Sequence, residues 1–156
     1  MGSGKDLLDK GGKLMALAGV AFVGYAIVFL ALNFWGEGFE LGVNEINGAS
    51  RQDLMAFNPA VLYYIGHLHV ATAGFIAATG ITVVMLSWYG VRQGLKWAWT
   101  AAVVSPVVGL GVALPMHYLG LFEHNWILHL GPIYVATALF VYGVILSWKG
   151  LGREAV

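Results

Sequence analysis

Five histidines are the side chains of this chain best suited to hold a metal or move a proton, and their placement is uneven. His67 and His69 lie in an apolar run, Pro59 to Tyr89, that has no acidic or basic side chain besides them. His117 closes the next apolar run, His124 sits in the short turn that follows, and His129 falls three residues into the last run. An ionisable group at membrane depth is costly, so each is a candidate functional group. There is no cysteine, which removes thiolate-held metals, thiolate nucleophiles and disulfides together.

Imidazole in its neutral form suits iron, copper and zinc. At about 1.5 Å rise per residue, His67 lies about 5 Å below the aromatic pair Tyr63–Tyr64, and His129 about 4.5 Å below Trp126. His117 falls at a similar depth, so three helices present an imidazole at one level. Facing histidines at equal depth suit bis-imidazole ligation of haem b in a bundle core, with His67, His69, His117 and His129 as candidate ligands. A copper, iron or zinc ion without haem would draw on His67, His117, Glu123, His124 and His129. A quinone pocket is the third expectation, with an interfacial histidine accepting a proton as the quinol is oxidised. His67 and His69 differ by roughly 200° around the helix, so at most one points into the bundle, and the sequence does not choose between them. Against all three stands a plain reading: a histidine at headgroup depth keeps an apolar body and a polar tip there without any function.

The elements that must carry these residues are legible from composition. The chain has 156 residues, 59% hydrophobic and 10% charged, against about 25% charged in a soluble domain. Four apolar runs, each near the 20 or so residues that span a bilayer, are predicted as helices at 14–35, 59–89, 97–118 and 126–148. The fold class is therefore an all-α membrane protein, a four-helix bundle forming one membrane domain over residues 1–156. Outer loops are expected at 36–58 and 120–125, and short polar ends at 1–12 and 149–156. The Met-Gly start lacks Ser or Thr at position six, so the myristoylation pattern fails. The first run is too long for a signal-peptide core and is read as retained. Pro106 and Pro115 are expected to kink the third helix. Gly66, Ala73, Gly74, Ala77, Ala78 and Gly80, with Gly109 and Gly111, read as close-packing positions.

Seven basic residues (Lys5, Lys10, Lys13, Arg92, Lys96, Lys149 and Arg153) flank the helix ends that share one side, and only Arg51 lies on the other. The positive-inside rule then places both termini in the cytoplasm and all five histidines outside, in a multi-pass plasma-membrane protein. Leu86-Ser87-Trp88 and Leu146-Ser147-Trp148 end two spans, and Val-Ala-Thr-Ala recurs at 70–73 and 135–138, a possible two-hairpin pseudo-repeat.

The runs Gly66-His67-Leu68-His69-Val70 through Gly74-Phe75, and Ile127-Leu128-His129-Leu130-Gly131-Pro132, resemble the histidine-bearing helices of small four-span proteins similar to fragments of haem–copper oxidase catalytic subunits. The resemblance implies haem b near the outer face, with His67 or His69 as one axial ligand and His129 as the other. It does not imply oxygen reduction, because the remaining helices and copper ligands are missing. Charged residues are absent from the four runs, which argues against proton-coupled transport through a mid-membrane carboxylate. The His-Glu-x-x-His, phosphate-loop and Gly-x-Ser-x-Gly patterns are likewise absent. The expected function is haem or metal binding in electron transfer or quinol chemistry. The alternative is an accessory subunit of a larger membrane complex without a cofactor. Partners are the lipid bilayer and other membrane subunits or further copies of this chain; zero net charge gives no reason to expect nucleic acid.

Overall fold

The computed structural model describes residues 3–154. Helices run over Gly4–Trp35 (α1), Arg51–Phe57 (α2), Pro59–Tyr89 (α3), Lys96–Tyr118 (α4) and Trp126–Glu154 (α5), with a single 3₁₀ turn at Val91–Gln93. All but α2 are long and apolar enough to cross a membrane. No strand occurs among the described residues; the loop 36–50 has only the isolated bridges Glu40–Val43 and Ile46–Ala49.

The ends of α3 and α4 match the apolar runs because local chemistry stops the helix where hydropathy does. Asn58 caps α3 by accepting from the Ala60 N–H at 3.0 Å, and Pro59 fills the first position, where no N–H is needed. Three expectations change. The polar stretch before residue 14 is helical from Gly4, because Ser3 and Asp6 form a capping box. The Met-Gly start itself lies outside the described residues. At the other end α5 continues to Glu154 rather than stopping at Trp148. Within the expected loop 36–58, a second capping box at Ser50 and Asp53 starts α2. The Ser50 hydroxyl, and after it the Ser50 backbone N–H, hold the Asp53 carboxyl below the usual carboxylate range. Helix α4 runs through Pro106 and Pro115 without interruption.

The packing is organised by α1. Small residues recur along it every seven positions in two stripes, the spacing at which two helices can stay in register over many turns. One stripe, Gly12, Gly19, Ala26 and Asn33, meets Ser87, Gly80, Ala73 and Gly66 of the antiparallel α3. A Cβ on Gly19 would lie 2.7 Å from the Gly80 carbonyl oxygen, one on Gly12 3.0 Å from that of Ser87, and one on Gly66 3.3 Å from Asn33 Oδ1. Ala26 and Ala73, paired by the same register, are both buried. The other stripe, Gly4, Gly11 and Ala18, meets Gly150, Gly143 and Ala136 of α5. A Cβ on Gly143 would approach the Gly11 oxygen to 2.8 Å. With no hydrophobic drive in lipid, such backbone proximity supplies the dispersion contact that holds helices together.

The same register explains the repeated Leu-Ser-Trp. Ser87 and Ser147 are fully buried and flank the Gly11–Gly12 pair of α1 from opposite sides. Two helices that end against one glycine pair need the same small residue, a packing cause that requires no duplication.

Helix α4 stands opposite α1 and closes the bundle through large side chains instead. Trp99 donates to the Ser147 hydroxyl at 3.0 Å and stacks near Trp148, while the Tyr118 and Tyr134 hydroxyls are hydrogen-bonded. Gly74, Gly109 and Gly111 have open space where a Cβ would be, so close packing accounts for Gly66, Ala73 and Gly80 but not for them. Near the termini, Arg92 pairs with Asp9 at 2.7 Å and lies over the Trp88 ring.

Candidate functional site

The site is at the end of the bundle where the loop 36–50 folds back over the helices. Phe39, Leu41 and Val43 alternate with polar residues, and Phe39 and Val43 pack with Leu62 in a small core of their own. This seats the loop on the start of α5. Asn125 caps α5 by accepting from the Ile127 and Leu128 N–H groups, and its own N–H donates to the Gly42 carbonyl at 2.8 Å. Gly42 has φ +75° and lies against the backbone of Asn125 and His129, a conformation and a proximity that favour glycine.

His129 follows one turn later and is 1% exposed. Its Nδ1 lies 2.8 Å from the Leu41 carbonyl oxygen. His117, in the last turn of α4, has its Nδ1 3.1 Å from the Ala113 carbonyl oxygen. A carbonyl only accepts, so each Nδ1 carries the hydrogen and each neutral ring leaves a bare lone pair on Nε2. Those two Nε2 atoms face one another at 2.9 Å. Two lone pairs at that distance repel; a shared proton, a switch of one ring to its Nε2–H tautomer, or a metal ion bound by both nitrogens makes the contact attractive.

Three more groups surround the pair. His124 has both ring nitrogens buried without a hydrogen-bond partner, and its ring is 5.6 Å from that of His117 and 5.2 Å from that of His129. Glu40, from the loop, places Oε2 3.8 Å from His129 Nε2 and Oε1 3.2 Å from His69 Nε2. The His69 ring lies edge-on to Phe29, and its Nδ1 is buried without a partner. The chain His69–Glu40–His129–His117 thus links α3, the loop, α5 and α4.

Of the residues expected from sequence, the structure brings together His69, His117, His124 and His129. His67 is on the exposed face of α3 and Glu123 is exposed in the turn, so neither joins the group. His69, not His67, is the inward residue because it lies three and four positions from Gly66 and Ala73, on the face that packs against α1. Glu40 was not anticipated from sequence. The usable signal was the alternation Phe39, Leu41, Val43, which marks a packed loop rather than a solvated one. Among the described residues no three His, Asp or Glu side chains form a group that could hold a metal ion in this arrangement. No family model, characterised protein or solved structure matches this chain.

Proposed function

We propose that this membrane bundle binds a transition-metal ion, copper, iron or zinc, at the His117–His129 pair and, with copper or iron bound, serves electron transfer at the face carrying the 36–58 loop. The reading rests on one observation, the convergence of the two Nε2 atoms at 2.9 Å. Metal-bound histidines commonly donate their other N–H to a backbone carbonyl, which fixes the tautomer, and both rings have that bond. His124 and Glu40 are the nearest groups to complete the coordination, after side-chain movement. A copper or iron ion there would supply one-electron chemistry; the protein's part is to fix the two imidazoles and shield them.

Haem b fits less well. Axial ligands at about 2 Å from one iron would sit about 4 Å apart on opposite faces of a porphyrin. His117 and His129 are closer than that. The Glu40 carboxylate bridges His69 and His129, the pair the oxidase resemblance would use.

The test is metal content after growth with each of the three metals. About one ion per chain is expected, falling below a tenth in His117→Ala and His129→Gln and unchanged in His67→Ala and Glu123→Ala. A wild-type protein free of all three metals and colourless would overturn the reading in favour of an accessory subunit, and a Soret band would favour haem.

The same reading places the termini in the cytoplasm and the site outside the plasma membrane, supported by the seven-to-one basic asymmetry. The native chain has no cysteine, so Glu45→Cys and Gln93→Cys, both at exposed positions, give clean labels. On intact cells an impermeant maleimide should label position 45 and not 93. The reverse pattern inverts the topology.

A further inference from the structure

A cavity of about 300 Å³ lies between α3 and α4, reaching α1 and α5, with the His117 ring in its wall at the loop end and Pro106 deeper along α4. Its lining is apolar except for that imidazole and three hydroxyls, those of Tyr25, Thr72 and Thr79. None of the three makes a hydrogen bond among the described residues, whereas Thr82, Thr100 and Thr137 each bond the carbonyl four residues back. Thr72 is exposed and Thr79 half-buried, so at bilayer depth these hydroxyls are open to a ligand entering the cavity rather than to water. Gly109 contributes open space where a side chain would intrude. Phe75, also in the lining, is 75% exposed, so the cavity reaches the lipid-facing surface.

We infer that this cavity binds a quinone or quinol: a flat ring with para oxygens and an apolar tail running past Phe75 into the lipid. The spacing of the hydroxyls selects the class. Thr72 and Thr79 are seven residues apart, nearly in line along α3 and about 10.5 Å apart in rise, so a ligand that meets both must carry oxygens at two separated ends. A quinone ring does, whereas a single carboxylate or sterol hydroxyl has its oxygen at one end. Tyr25 approaches from α1 as a third partner. The inference goes beyond metal binding and stands whether or not the histidine pair holds an ion, although a ligand here would lie against His117.

The probe is a decyl-substituted 1,4-benzoquinone added to full-length protein in nanodiscs, followed by quenching of intrinsic fluorescence, with metal-loaded and metal-stripped samples run in parallel. Saturable binding is expected in both. Thr72→Val with Thr79→Val, which keeps shape and removes the hydroxyls, should weaken it at least about tenfold. Gly109→Leu should abolish it without lowering the thermal melt, since nothing lies within 4 Å of a Cβ at that position. Equal binding by wild type and the double valine variant, or displacement of the quinone by palmitate at equal concentration, would show a non-specific acyl-chain groove and overturn the proposal. Absence of saturable binding overturns it too. Loss of metal with quinone binding intact would remove only the metal reading.

Discussion

Gly80→Ala should destabilise the protein by about 1–3 kcal/mol, the usual cost of forcing atoms into a filled interface, and Gly80→Leu should prevent it from accumulating as a single folded species. A Cβ on Gly80 would stand 2.7 Å from the Gly19 carbonyl oxygen and 3.0 Å from the Val23 nitrogen. Those are backbone atoms, which cannot swing aside as a side-chain tip does, so α1 and α3 must separate along their length. Gly143→Ala should behave alike on the α5 side, where the added atom meets the Gly11 oxygen and the Met15 nitrogen. Gly74→Ala is the contrast. Nothing lies within 4 Å of it, and removing a helical glycine adds about 0.5–1 kcal/mol of helix stability. Thermal unfolding in one detergent orders the three variants. Equal midpoints for Gly74→Ala and Gly80→Ala would mean that the α1–α3 approach is looser than described.

The spans were legible because membrane helices are fixed by length and apolarity, and both are written locally. The boundary of α1 was not, because hydropathy and helicity part company there. Lys5 to Lys13 are polar, yet they continue the helix under the Ser3–Asp6 box. The site was legible in part. His129 belongs to the stripe His129, Ala136, Gly143, Gly150 on α5, and His69 flanks the stripe Gly66, Ala73, Gly80, Ser87 on α3. Read as seven-residue stripes, the small residues select His69 over His67, a choice that helical angle alone leaves open. The alternation Phe39, Leu41, Val43 marks the loop as packed, but that Glu40 and the Leu41 carbonyl meet His129 depends on the loop's tertiary fold, which that pattern does not encode.

His129→Ala should release the 36–50 loop as well as any bound ion. The imidazole is 1% exposed and is the donor to Leu41; removing it leaves that carbonyl without its partner, while Glu40 keeps His69. A buried acceptor left unpaired costs about 1–3 kcal/mol, and the space vacated by the ring adds to that. Hydrogen–deuterium exchange reports it locally. The Val43 amide, bonded to the Glu40 carbonyl at 3.0 Å, should exchange at least about tenfold faster, while amides at the centre of α1 keep their protection. His67→Ala, at an exposed position on α3, should change neither. Unaltered exchange at Val43 in His129→Ala would mean that the loop is held by the Phe39–Val43–Leu62 core and Asn125 alone.

The position of α1 between α3 and α5 also orders the protein's synthesis. Of the four long helices, α1 is made before the other three and carries two glycine-lined faces, and it can cover one of them as soon as α3 is made. The second must stay open until residues 136–150 emerge, because its partners are Ala136, Gly143 and Gly150. Until then α4 is already in place with only side-chain contacts to hold it. The histidine pair, which needs α4 and α5 together, therefore forms only after α1, α3 and α4 have all been made.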